Sequence, residues 1–260
     1  MDLGLSGKRC IVTGASRGIG RATAALLAAE GARLLLVARN GDALASAAPP
    51  GAELLAADIT HEDAGERIVA ACVERFGGID VLVNNAGTSW IKPLDELTED
   101  DWERQWQLNV RGPDRLMRAA APRMAEQRWG RIVNVTSSSG KRPSLRNAAY
   151  SVTKAAQLSL SRAYADAFAA KGVLVNAVAP GITASELWTG DEGLADQEVA
   201  AGGAEDRRAA MAAAAARVPL GRFAEPGEIA AVVVFLCSER ASDVVGAAWS
   251  VDGGAVPLIL

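Results

Sequence analysis

Seven short apolar runs recur along the chain, and between most of them the apolar positions fall at helical spacing. The runs are RCIVTG (9–14), RLLLVAR (33–39), AELLAAD (52–58), IDVLVNN (79–85), RIVNVTS (131–137), VLVNAVAP (173–180) and GAAWSVDG (246–253). Each is nearly continuous in its hydrophobicity instead of alternating, which predicts strands buried on both faces and therefore a parallel sheet. Helices are predicted over GIGRATAALLAAEG (18–31), HEDAGERIVAACVERFG (61–77) and about 148–171. No repeat of solenoid period and no low-complexity linker interrupts this order. The expectation is one doubly wound α/β domain over 1–260: a parallel sheet of about seven strands with helices on both faces. A stretch at about 183–217, richest in Gly, Ala and acids up to about 207, reads as an inserted substrate loop.

Composition narrows the function. With 50% hydrophobic and 22% charged residues the 260-residue chain is neither disordered nor fibrous. A formal net charge of -4 argues against nucleic acid or an anionic membrane as a partner. Cys10, Cys72 and Cys237 stand singly and His61 is the one histidine, so no zinc-type cluster and no metal site is expected. The stretch MDLGLSGKRCIVTG has no signal-peptide apolar core, and no run reaches the ~20 residues of a membrane span. A soluble cytoplasmic protein is the expectation.

Chemistry gathers where predicted strands end. TGASRGIG (13–20) joins the first strand to the first helix. Gly14 suits a tight turn, Gly18 a close backbone approach to a diphosphate, and Gly20 a helix seated close on the strand. Free N–H groups and the helix dipole favour an anion there. At the end of the second strand, where a carboxylate would receive the ribose 2′-hydroxyl of NAD, the chain reads Ala38-Arg39-Asn40. Arg39 and Arg17 suit a 2′-phosphate, so NADP(H) is preferred and NAD(H) remains open, as does the reading of both arginines as solvated surface charges.

AAYSVTKAAQL (148–158) places Tyr150 and Lys154 four residues apart on one helical face. A phenol has a pKa near ~10. An ammonium within about 4 Å would stabilise the phenolate by roughly 4 kcal/mol at an effective dielectric of about 20, enough to lower that pKa by up to about three units. The pair is either an acid–base device or ordinary packing with a snorkelling lysine.

In their order, these pieces resemble the short-chain dehydrogenase/reductase family from about Lys8 to Gly254. The matching residues are TGASRGIG, Asp58, NNAG at 84–87, Asn109, Ser137 within TSSSG, Tyr150 with Lys154, PG at 180–181 and VDGG at 251–254. The likeness is strongest to 3-oxoacyl-acyl-carrier-protein reductase-like members. It implies a Rossmann-type domain in which Tyr150 exchanges the proton with the substrate oxygen. Ser137 bonds that oxygen, Lys154 lowers the Tyr150 pKa and holds the nicotinamide ribose, and Asn109 anchors a relay water. Ser138 and Ser139 are expected to satisfy local backbone.

By the same resemblance, Gly14, Ser16, Arg17, Gly18, Ile19, Gly20, Arg39, Asp58, Ile59, Asn85, Ala86, Gly87, Tyr150, Lys154, Pro180, Gly181, Thr183 and Ser185 would contact the cofactor. Asp58 would meet the adenine amino group, Thr60 and Asp63 supplying the next helix cap. After Gly181 the family often reads x-I-x-T; here Ile182-Thr183-Ala184-Ser185 puts Ser185 where a threonine is usual.

The implied activity is reversible NADPH-dependent reduction of a ketone, with a 3-oxoacyl thioester among the candidate substrates. An NAD-dependent alcohol or sugar dehydrogenase and a non-catalytic dinucleotide-binding protein are the alternatives. The substrate would lie among 186–207, Thr88 to Ile91 and Ser144 to Asn147, with Trp90 and Trp188 as an apolar wall. An acyl carrier protein, if it is a partner, would dock on Arg128 and Lys171. Relatives suggest a homotetramer through the helices near 113–127 and 148–170.

Overall fold

In a computed structural model that describes residues 1–257, all seven expected strands form. They are β1 (Arg9–Thr13), β2 (Arg33–Ala38), β3 (Glu53–Ala56), β4 (Val81–Asn84), β5 (Gly130–Val135), β6 (Val173–Pro180) and β7 (Ala248–Val251). They make one sheet in the order β3-β2-β1-β4-β5-β6-β7, every pair parallel. The last three residues of the expected 1–260 domain lie outside the described region.

Burial on both faces is visible residue by residue. Cys10, Val12, Leu34 and Leu36 enter one core; Ile11, Leu35 and Val37 enter the other. The period-2 pleat thus sends neighbours in a continuous apolar run to opposite layers. The first core is covered by α1 (Gly18–Ala29) and α10 (Pro226–Cys237). The second is covered by α3 (Ala64–Phe76), α5 (Gly112–Glu126) and α6 (Ala148–Phe168). Two further helices, α2 (Gly41–Ala47) and α4 (Glu99–Trp106), complete the crossovers, and the expected loop region carries α7 (Glu186–Thr189), α8 (Leu194–Ala200) and α9 (Arg207–Ala215).

Strand order reverses between β1 and β4, since β2 and β3 lie to one side of β1 and β4 to β7 to the other. A crevice opens at the carboxyl ends of strands at such a reversal. The opposite edge is held by Asp80. Its carboxylate accepts from Arg9 Nε at 2.7 Å, Arg9 Nη2 at 2.6 Å, the Arg9 backbone N–H at 2.8 Å and Gln127 Nε2 at 3.1 Å. Burial pushes the Asp80 carboxyl up, but the Arg9 bonds and charge outweigh it and leave it below the usual range. A carboxyl with a lower pKa folded than unfolded adds stability above its unfolded pKa, and that stability is lost as pH falls through the folded value. Asp80→Asn is therefore expected to cost about 2 kcal/mol at neutral pH, with the gap to wild type closing below about pH 4, as read by urea unfolding across pH.

Candidate active site

Helix α1 begins at Gly18 without a side-chain cap and without an acid in its first turn. Its free N–H groups face the crevice and keep their capacity to bind an anion. The loop before it needs glycine at two positions with positive φ, +64° at Gly14 and +52° at Gly18. At Gly20 the constraint is contact: a Cβ would stand 2.3 Å from the Gly14 carbonyl oxygen and 2.4 Å from Asn85 Nδ2. Asn85 ties the arrangement together, Nδ2 donating to the carbonyls of Thr13 at 2.9 Å and Gly14 at 3.1 Å.

A cleft of about 290 Å³ runs along this edge. Of the residues named from the sequence, Gly14, Ser16, Arg17, Gly18, Ile19, Arg39, Asp58, Ile59, Asn85, Ala86 and Gly87 line it. Ser137, Tyr150, Lys154, Pro180, Gly181, Thr183 and Ser185 line it as well, Ser185 standing against Gly18. Two stand behind the wall: Gly20 under the glycine loop and Asn109 fully buried. Arg17 and Arg39 are exposed at the rim, and among the described residues neither joins an ion pair. Asp58 is pushed up by burial but ends below its usual pKa, because the Thr60 N–H (2.9 Å) and hydroxyl (2.8 Å) donate to it and Arg39 and His61 lie near. Thr60 is thus spent on Asp58 and forms no capping box with Asp63, which caps α3 without a side-chain bond.

Ser137, in the turn after β5, and Tyr150, on α6, line the cleft together. Ser137 Oγ accepts from the Ser139 N–H at 3.1 Å, so Ser137 itself, and not its serine neighbours, closes the local turn. One lone pair is used and its proton stays free to donate. Burial pushes the Tyr150 phenol up to about 12, with the Ser137 hydroxyl opposing. The expected lowering by the lysine is not seen in this structure, where burial sets the phenol. Lys154 Nζ sits 5.7 Å from the Tyr150 ring centre and donates to the Val135 carbonyl at 3.0 Å and Gln157 Oε1 at 2.9 Å. Burial pushes the Lys154 ammonium down to about 7.

Asn109 lies in a π-helical turn, Gln107–Arg111, where the Gly112 N–H reaches back to the Gln107 carbonyl. Pro113 lacks the N–H that would bond the Asn109 carbonyl in a regular helix, so the chain widens there. Asn109 Nδ2 donates to Gln105 Oε1 and, at 3.2 Å, to Thr153 Oγ1. The Thr153 hydroxyl donates in turn to the Tyr150 carbonyl at 2.8 Å. These bonds fix the amide so that Oδ1, buried with no partner among the described residues, faces the space beside Gly87 and Lys154. Gln105, Thr153 and Gln157 were absent from the sequence reading. Their spacings of i−4 from Asn109 and i−1 and i+3 from Lys154 on helices were the available signal.

The substrate end is bounded by Thr88, Ser89, Asn147, Leu187, Trp188 and Leu194. Asn147 Nδ2 donates to Ser89 Oγ at 3.3 Å and Lys92 N to the Arg146 carbonyl at 2.9 Å, which zips the loop after β4 to the start of α6. The α7–α9 segment is latched over it through Ile91 N to Gln197 Oε1 at 2.7 Å and an Arg146–Glu198 ion pair. Trp188 lines the cleft and packs edge-on against Phe223, whereas Trp90 lies under Arg104, away from the cleft wall.

A doubly wound parallel sheet with a glycine loop at its reversal and a Ser–Tyr–Lys cluster on the adjoining wall defines a Rossmann-type oxidoreductase. The family model described as enoyl-(acyl carrier protein) reductase matches residues 14–256, and the chain belongs to this family of short-chain dehydrogenases/reductases. It is 36% identical over 255 residues to galactitol 2-dehydrogenase of Agrobacterium fabrum, covering 96% of this chain and 98% of the relative. It is 34% identical over 258 residues to the 3-oxoacyl-[acyl-carrier-protein] reductase FabG of Thermotoga maritima, covering 97% and 99%. L-sorbose reductase from Gluconobacter frateurii, solved with NADPH and L-sorbose, superposes with a TM-score of 0.91 at 36% identity and full coverage of both chains. The protein is an oxidoreductase acting on alcohol and ketone groups, in a family that binds NAD(P).

The buried lysine has a measurable cost. Its ammonium is charged in both states below about pH 7, and neutral in both only above the unfolded pKa of about 10.4. Between these limits the unfolded chain binds more protons, so stability rises with pH. Lys154→Met is expected to raise the thermal midpoint of the cofactor-free protein at pH 7, with the gain fading towards pH ~10, followed by calorimetry.

Proposed function

We propose that this enzyme reduces a small diffusible ketone to a secondary alcohol, reversibly and with NADP(H). The observation that carries the reading is the convergence of Ser137, Tyr150 and the buried Lys154 on the inner wall of one cleft. The bound cofactor would supply the hydride; the protein supplies position, charge and the proton. The uncapped start of α1 and the glycine loop fit a diphosphate, and Arg17 and Arg39 at the rim, in no ion pair among the described residues, fit a 2′-phosphate. Asp58, held ionised by Thr60 and Arg39, fits an amino group.

In reduction, negative charge grows on the carbonyl oxygen, and two hydroxyls are placed to receive it. Ser137 donates its free proton as a hydrogen bond. Tyr150, protonated in the unliganded site, transfers its proton to the oxygen. In oxidation the phenolate must form, and the Lys154 ammonium is the adjacent positive charge that would stabilise it. Asn109 Oδ1, an acceptor turned towards Lys154, suits a relay that returns the proton. Thr183 and Ser185, which line the cleft with Gly181, would suit the carboxamide end of the cofactor.

A second reading, oxidation of a sugar or polyol, draws support from Ser89, Ser139 and Asn147, which give the substrate end hydrogen-bonding groups beside the apolar Leu187 and Trp188. The acyl-carrier reading draws less. Arg128 and Lys171 are neighbours, a Cβ at Gly172 standing 2.2 Å from the Arg128 carbonyl oxygen, but both precede their strands. The cleft lies at the other end of β6, whose eight residues span about 26 Å. A carrier docked there would be remote from the cleft of the same subunit. A homotetramer is retained as part of the proposal, the exposed Val152 on α6 being suited to an intersubunit contact.

Initial rates with NADPH and NADH against ketones, polyols and a 3-oxoacyl thioester test the reading. Turnover of ketones with kcat/KM favouring NADPH is expected; a preference for NADH would overturn the cofactor assignment. Tyr150→Phe should lower kcat by about 10²–10⁴-fold while leaving NADPH affinity, by fluorescence titration, within a few-fold. Ala38→Asp with Arg39→Leu should shift the kcat/KM ratio towards NADH, since the new carboxylate accepts a ribose hydroxyl and repels a phosphate.

A further inference from the structure

Lys154 is surrounded on four sides, and each side can be named. The end of β5 presents the Val135 carbonyl; the turn after β4 presents Gly87, where an added Cβ would stand 3.4 Å from Nζ. The π-helical turn presents the neutral amide of Asn109. The short helical turn Ser138–Gly140 packs on the Lys154 backbone, where a Cβ at Gly140 would stand 2.8 Å from the carbonyl carbon. On α6 itself the titratable neighbour is Tyr150, and the remaining contact is Gln157, one turn further along. No charged group shifts the ammonium; burial alone does.

Gln157 is fully buried, in a position where a polar side chain has a cost unless it is used. Its Oε1 accepts a hydrogen bond from the ammonium at 2.9 Å, while its Nε2 has no partner among the described residues. An amide that leaves one end unbonded in order to bond a cation with the other is serving the cation. An apolar residue would satisfy packing at this point and would leave Lys154 with the Val135 carbonyl alone as acceptor.

We propose that Gln157 is a positioning residue, holding the Lys154 ammonium charged and in place so that Tyr150 can give up its proton near neutral pH. The inference rests on the acid–base reading of Tyr150 and Lys154 proposed above. Two of the three ammonium protons are directed, one to Val135 and one to Gln157, which leaves the third for the cleft. Hydrogen bonds to a charged group are stronger than those to a neutral one, so withdrawing the amide acts mainly on the protonation of Lys154. A less readily charged lysine is a weaker stabiliser of the phenolate, and the phenol then titrates higher.

The test is the pH profile of kcat/KM for NADP+-dependent oxidation, with the best secondary alcohol of the panel, in wild type, Gln157→Met, Gln157→Leu and Tyr150→Phe. Met and Leu are apolar and near in size, and the second serves if the first does not fold. The rising limb is expected to move up by about one pH unit in the Gln157 variants, so that kcat/KM at pH 7 falls about tenfold and recovers towards the alkaline plateau. A packing role would scale kcat/KM equally at all pH values and leave the limb in place, which overturns the proposal. If Tyr150→Phe loses turnover while the Gln157 limb stays put, only the role of Gln157 fails. If Tyr150→Phe remains active, the acid–base reading fails and this inference with it.

Discussion

The junction of β1, β4 and α1 is where the sheet becomes a site. Thr13 Oγ1 accepts from the Asn85 and Ala86 N–H groups at 3.0 and 3.1 Å and donates to the Val83 carbonyl at 3.3 Å. Asn85 then spans back to the carbonyls of Thr13 and Gly14. Against this knot the first turn of α1 packs so closely that residue 20 has no room for a side chain. Backbone touching backbone cannot yield as a side chain can. The direction of α1, and with it the line along which its N–H groups point, is fixed by that contact.

Farther along the cleft, order is obtained at a cost in stability. An ionisable lysine, an asparagine whose Oδ1 and a glutamine whose Nε2 have no partner among the described residues lie within one buried region, beside a helix turn forced wide by Pro113. Each is unfavourable taken alone. They persist because the hydrophobic layers above and below the sheet are continuous, and because each polar atom that is satisfied fixes the direction of one that is not. Local conflict of this kind concentrates at functional sites.

How much of this was legible in the sequence depends on how local the determinant is. The seven strands were legible, because residues such as Leu34 to Val37 are apolar without alternation and so must be covered twice. Gly14, Gly18 and Gly20 were legible from their position between a strand and a helix. The direction taken by Lys154 was not: its spacing from Tyr150 predicts a shared face, but the Val135 carbonyl that turns the ammonium together with Gln157 belongs to β5, and is known only once β5 and α6 meet. Thr60 was read as a helix cap and is drawn instead to Asp58, two residues back, which competes for the same hydroxyl. Arg128 and Lys171 lie together at one edge of the sheet, but which edge faces the cleft is a property of the sheet. Trp90 illustrates the same limit, since a neighbour in sequence to Ser89 is turned away to Arg104.

The glycine loop closes against residues more than one hundred and sixty positions away: a Cβ at Gly18 would stand 3.0 Å from that of Ser185. During synthesis the loop, the first three strands and Asp58 emerge early, whereas Pro180, Gly181 and the strand that supports them, β7, come from the last third of the chain. A growing chain therefore holds half a cleft, with an open wall, for most of its time on the ribosome. Closure waits for β7, whose Val251 carbonyl receives the Gly181 N–H at 3.0 Å. A chain that ends before that strand keeps Pro180 and Gly181 but loses the neighbour that holds them in place.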